Sequence, residues 1–261
     1  MPVFYDQLHR EIYLPSTPQK IISAVPSQTE LLFDLGLDAE IIGITSFCTH
    51  PADKTRSVTK IGGTKKLNIA LIKELNPDLI IANKEENDRD QIEELMGSFP
   101  VWVSDINDLQ STINMIECIG EMLDRKIKAE ALNQNITNRF NDLKTKTLNL
   151  RVAYFIWRKP YMVAGIDTFI NSMLQYCGLT NAFDLIRYPE VTADMLIKTE
   201  PDVVLLSSEP YPFGDKHIEE FKLMLPNVKI MLVDGEMFSW YGSRLLHAPA
   251  YMASIIELLA Q

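Results

Sequence analysis

The chain has 261 residues, 46% of them hydrophobic and 23% charged, which is enough for two globular domains of ordinary size. Its net charge of −10 and the lack of a dense basic run exclude nucleic acid and insertion into an anionic membrane as expected interactions. Cys48, Cys118 and Cys177 are odd in number and widely spaced, so they read as thiols rather than a disulfide framework or a metal site.

The opening residues carry Asp6, Arg10, Glu11 and Lys20 among Pro15 and Pro18. They do not form the basic start and apolar core of a secretory signal. As the chain stands this predicts a cytoplasmic protein, or a periplasmic or cell-surface one if a signal has been removed.

In chain order, residues 1–19 read as an irregular lead-in with residues 11–14 extended. Residues 20–25 form a buried-strand pattern ending at Pro26-Ser27, and residues 29–37 a helix stopping at Gly36. Residues 41–47 form a second strand. The order then continues with a helix over 68–75, a strand over 78–82, a helix over 87–96 and a strand over 101–103. This alternation predicts a parallel sheet flanked by helices. Residues 108–148 hold no Pro and only Gly120, with apolar residues spaced mostly three or four apart, and a few longer strides, from Leu109 to Leu143. That stripe predicts one long helix, about 60 Å in length at 1.5 Å per residue.

Beyond it the pattern restarts. A strand over 151–157 has a hairpin partner at 161–164, and a helix over 168–177 is closed by Gly178. A helix over 193–198, strands at 203–207 and 229–233, and helices over 218–225 and 249–259 complete the chain. The fold expected is therefore α/β: two Rossmann-like lobes with central parallel sheets joined by one long backbone helix. The boundaries are 1–107, 108–150 and 151–261. One segment is repeated: residues 68–83 match residues 192–207 as helix, Pro-Asp turn and buried strand, with Pro77-Asp78 falling on Pro201-Asp202.

Open parallel sheets bind ligands outside the carboxyl ends of their strands. Those ends carry Phe47, His50 and Lys65 in the first half, and Trp157, Arg158, Tyr161, Glu209, Tyr211 and Phe213 in the second. Phe238, Trp240, Tyr241 and Arg244 follow the last strand. Aromatic faces among scattered polar groups suit a flat or polyfunctional ligand. No GxGxxG, phosphate loop or nucleophile elbow is present, so no catalytic residue and no intrinsic cofactor is expected. Cys48 and His50 make an incomplete metal or nucleophile pair. His9, His217 and His247 read as solvated surface histidines.

Residues 20–37, the preceding residues 10–15, and the duplicated helix–Pro-Asp–strand units together resemble the periplasmic binding proteins of ABC importers for cobalamin, heme and ferric siderophores. The cobalamin-binding members are the most similar. The resemblance implies a monomeric substrate-binding protein, not an enzyme. It implies a corrinoid or other metal-chelate ligand held in a cleft between two lobes, and an ABC permease as partner. In that family a docking carboxylate typically lies seven residues before each Pro-Asp. Asp194 fits; Ala70 departs from the pattern, with Glu74 one helical turn further on. The reading from another class is a cytosolic enzyme or carrier in tetrapyrrole or metal handling, working through Cys48, His50, Glu209 or Glu236.

Overall fold

The structure, a computed structural model, describes residues 2–143 and 148–260. It divides into two compact units. The first comprises Met1–Ile106, Gln110–Thr137 and the short segment Tyr241–Arg244; the second comprises Asn107–Leu109, Asn138–Trp240 and Leu245–Gln261.

The first unit is built on a five-stranded parallel sheet. Across it run Thr59–Lys60, Ile41–Ile44, Ile21–Ser23, Leu79–Asn83 and Val101–Ser104. The central strands Ile21–Ser23 and Leu79–Asn83 are buried along their whole length. Their continuous apolar runs reflect helices on both faces of a parallel sheet. The lead-in read as irregular is in part an antiparallel hairpin, Val3–Tyr5 with Glu11–Tyr13.

In the second unit Arg151–Trp157 is the central strand. It pairs in parallel with Val203–Ser207, which pairs in parallel with Lys229–Val233. On its other side it pairs antiparallel with Tyr161–Val163, the hairpin partner read from the sequence. The core gathers Ala153, Phe155, Val204, Leu206, Phe213 and Phe221.

The duplicated segment has the same local chemistry in each copy. Asn68 caps the helix Ile69–Leu75 by accepting the Leu71 amide, and Thr192 caps Ala193–Thr199 by accepting that of Met195. Both helices end on a left-handed residue, Asn76 at φ 48° and Glu200 at φ 45°. Proline follows because the helix has stopped. The aspartate then pins the strand start: Asp78 Oδ2 accepts the Lys20 amide at 3.0 Å, and Asp202 Oδ2 accepts that of Arg151 at 2.7 Å. The Pro-Asp pair is therefore a helix stop followed by a staple to the neighbouring strand.

The single helix over 108–148 is corrected. Two helices stand there, Leu109–Met122 and Lys126–Asp142, and positions 144–147 of that reading lie outside the described residues. The break falls at Asp124, whose φ of 54° is left-handed and so cannot continue a right-handed helix. The helices then fold back on each other as an antiparallel hairpin. A Cβ on Gly120 would lie 2.3 Å from Cβ of Ala129, and Asn133 Nδ2 donates to the Ile113 carbonyl at 3.0 Å. The apolar stripe thus belongs to two faces, and Ile127, at the turn, is 83% exposed.

Candidate functional site

At the carboxyl end of the second unit's central strand, Trp157 is 39% exposed. Tyr211, on the loop after Val203–Ser207, meets it edge to face with ring centroids 5.7 Å apart. Behind Tyr211 lies Phe213, at 4.8 Å; it is buried in the core against Phe221. The rings form a stack that starts in the core and ends at an exposed indole.

A polar network borders the stack. Arg158 Nη2 lies 2.8 Å from Glu220 Oε2, its Nε donates to the same carboxylate at 2.9 Å, and the Tyr161 hydroxyl also donates to Glu220. Burial alone would push the Glu220 carboxyl up, but Arg158 and Tyr161 hold it below the usual carboxylate range. Burial and the hydrogen bond to Glu220 push the Tyr161 phenol up to about 12. The charge of Arg158 is thus already answered within the protein.

His217, read as a surface residue, is corrected to a buried one at 2% exposure. Its ring packs edge-on against both Tyr211 and Phe213. The sequence pattern held no signal for this, because the burial comes from rings on a preceding loop.

The aromatic run after the last strand separates into three roles. Phe238 is fully buried against Tyr154 and Tyr251 and belongs to the core rather than to a ligand surface. Trp240 is 7% exposed and hydrogen-bonds Glu209, which also accepts the Ser239 hydroxyl. Burial nevertheless raises the Glu209 carboxyl above its ordinary range. Tyr241 and Arg244, read as part of the second half, are grouped with the first unit. The Tyr241 hydroxyl donates to Glu86 at 2.9 Å, and Arg244 pairs with Glu30 at 2.8 Å. Those two acids, far away in sequence, decide where this segment packs.

In the first unit Phe47 is 62% exposed. Its ring lies over Gly63, where a Cβ would come within 3.1 Å of it. His50 is half-buried. Lys65 Nζ donates to the carbonyls of Glu85 and Asn87, so it ties down the loop after Leu79–Asn83. Cys48 is 1% exposed between the hydroxyls of Thr29 and Thr45, each 3.1 Å from its sulfur. Burial raises that thiol, which suits a structural residue rather than a nucleophile. Beneath these loops lies a buried polar network the sequence reading missed. Gln28 and Asn83 both donate to the Ser104 hydroxyl, and Asn87 donates to the carbonyls of Ala24 and Thr64.

An open groove of about 510 Å³ lies elsewhere in the second unit. Residues of the helices Lys126–Asp142 and Ala248–Leu259 line it, and none of the strand-end aromatics do.

The description "Periplasmic binding protein" belongs to the family profile that matches residues 21–224. The chain belongs to the periplasmic binding protein family. This binding protein is 29% identical over 213 residues to the uncharacterized ABC transporter substrate-binding lipoprotein YvrC of Bacillus subtilis, covering 77% of this chain and 67% of that one. It is 22% identical over 251 residues to the vitamin B12-binding protein of Pectobacterium carotovorum, covering 93% and 90%. Among solved structures, the periplasmic heme-binding protein RhuT from Roseiflexus sp. RS-1 superposes with a TM-score of 0.81 at 21% identity, over 93% of this chain and 99% of that one. BtuF of Vibrio cholerae, a periplasmic vitamin B12-binding protein, gives 0.75 at 18% identity, over 95% and 100%. These likenesses carry the two-lobed fold. The protein is a solute-binding protein rather than an enzyme, and the enzyme reading built on Cys48, His50, Glu209 and Glu236 has no support. Nor has the cytoplasmic placement read from its opening residues. No helix among the described residues is long and apolar enough to cross a membrane.

Proposed function

We propose that this binding protein is the receptor component of an ABC importer, working outside the cytoplasm, and that it captures a corrinoid-like or other metal-chelate ligand. The observation that carries this reading is the aromatic stack ending in Trp157. It is a preformed surface fixed from behind by the core, with its neighbouring charges already paired. Such a surface favours a broad, polyfunctional ligand through area and stacking rather than a small anion through a free cation. The similarity to vitamin B12-binding proteins over nearly the whole chain supports the ligand class.

On this reading Trp157, Tyr211, Tyr161 and Arg158 of the second unit contact the ligand. Asp194 and Glu74 are both exposed on the duplicated helices and serve as the docking carboxylates for the permease. Tryptophan-quenching titrations with cyanocobalamin, cobinamide, hemin and a ferric siderophore test the proposal. Saturable quenching by a corrinoid supports it. Quenching by none of the four removes the ligand class.

A further inference from the structure

His217 is one of the side chains that hold the loop carrying Tyr211; Ser207 and Arg158 also bond to it. His217 is the third residue of the helix Asp215–Met224. Its Nδ1 lies 2.9 Å from the amide nitrogen of Gly214, the residue before the helix. An amide N–H can only donate, so Nδ1 must accept and carries no proton. In the neutral ring the proton therefore sits on Nε2, which lies 3.2 Å from the Tyr211 hydroxyl. The imidazole thus receives a bond from one end of the 208–214 loop and gives one to its middle. Two aromatic rings pack against it as well, Tyr211 at 5.5 Å and Phe213 at 5.3 Å between centroids. Tyr211 in turn meets Trp157, the exposed end of the stack.

We propose that His217 is a positioning residue for ligand capture: its neutral ring, protonated on Nε2, fixes Tyr211 and through it sets the shape of the aromatic face at Trp157. This rests on the reading of that face as the ligand surface. A doubly protonated ring would present N–H groups to both partners and lose the Gly214 bond. The surroundings oppose that state. Burial disfavours the charge most, Lys216 on the same helix and Arg158 from the strand end add to it, and Glu220 opposes them. The ring consequently titrates below the ordinary imidazole range.

The test compares the full chain with His217→Phe, which keeps the ring but removes both bonds, and His217→Gln, which retains an acceptor and a donor. Two readouts are taken. The first needs no ligand: the nitrogen-15 resonances of the imidazole, and the indole resonance of Trp157 assigned with Trp157→Phe. The expected result is an unprotonated Nδ1 at neutral pH and a Trp157 resonance displaced in His217→Phe but little changed in His217→Gln. A protonated Nδ1, or a Trp157 resonance unmoved in His217→Phe, overturns the proposal.

The second readout is the affinity for cyanocobalamin against pH. His217→Phe should bind about tenfold more weakly, on the scale of one aromatic anchor, while still unfolding cooperatively. Wild-type affinity should fall as the ring is protonated, whereas His217→Gln should show no such step. Equal affinity of His217→Phe and wild type overturns the positioning role. If the wild-type protein binds neither cyanocobalamin nor the other three probes, the ligand reading fails while the resonance measurements still decide what His217 does.

Discussion

Replacing Gly120 by alanine should destabilise the first unit, against the usual direction for a helix. In an open helical position Gly→Ala gains roughly 1 kcal/mol from backbone entropy alone. Here the new Cβ would stand 2.3 Å from Cβ of Ala129, where ordinary contact begins at 3.4 Å. The Arg125 carbonyl lies 3.5 Å away on the same side, so the helices must part by about 1 Å in a close-packed interior. Overpacking of this kind costs about 1–3 kcal/mol. Set against the propensity gain, the net loss is up to about 2 kcal/mol. Ala129→Gly made in addition should restore the space, giving a favourable coupling of about 1–2 kcal/mol in a double-mutant cycle. Urea denaturation followed by far-UV circular dichroism reads all four corners of the cycle. If Gly120→Ala raised the midpoint and showed no coupling to Ala129, the hairpin would be refuted. In one continuous helix those two residues would lie about 13 Å apart.

Two further outcomes follow from paired side chains. Asp202→Ala and Asp78→Ala each remove a carboxylate that accepts a strand-opening amide; each should cost about 1 kcal/mol, read as a lower urea midpoint, and an unchanged midpoint would deny the staple. Glu220→Gln should cost about 1 kcal/mol at neutral pH. The Glu220 carboxyl is held low in the folded protein. Its contribution is therefore full above the unfolded carboxylate value of about 4.3 and is lost as pH falls through the folded value. The difference between wild type and variant should accordingly shrink on acidification, and a difference that grew would contradict the Arg158–Glu220 pairing.

Much of this architecture was legible because its chemistry is local. Asn68 and Thr192 announce helix starts, Pro77 and Pro201 announce stops, and the apolar strands between them are long enough to read as buried. The break at Asp124 was not legible, because aspartate tolerates the left-handed conformation only somewhat better than most residues do. Gly120 read as a tolerated glycine until Ala129 was seen across from it. In the candidate site the exposed aromatics Trp157 and Phe47 were visible from their positions at strand ends. What each polar side chain does was not, since Arg158 finds Glu220 some 62 residues away and Arg244 finds Glu30 some 214 away. The burial of His217 likewise depends on Tyr211 and Phe213. Residue type and spacing point to a candidate surface, whereas tertiary pairing determines which of its charges are already engaged.

The most direct test of the account is the affinity of Trp157→Ala for cyanocobalamin, measured by equilibrium dialysis so that no fluorescent reporter is lost. Because Trp157 is the exposed end of a stack anchored in the core, the account predicts binding about 10- to 100-fold weaker with the melting temperature nearly unchanged. Wild-type affinity in Trp157→Ala would contradict the claim that this strand-end face holds the ligand.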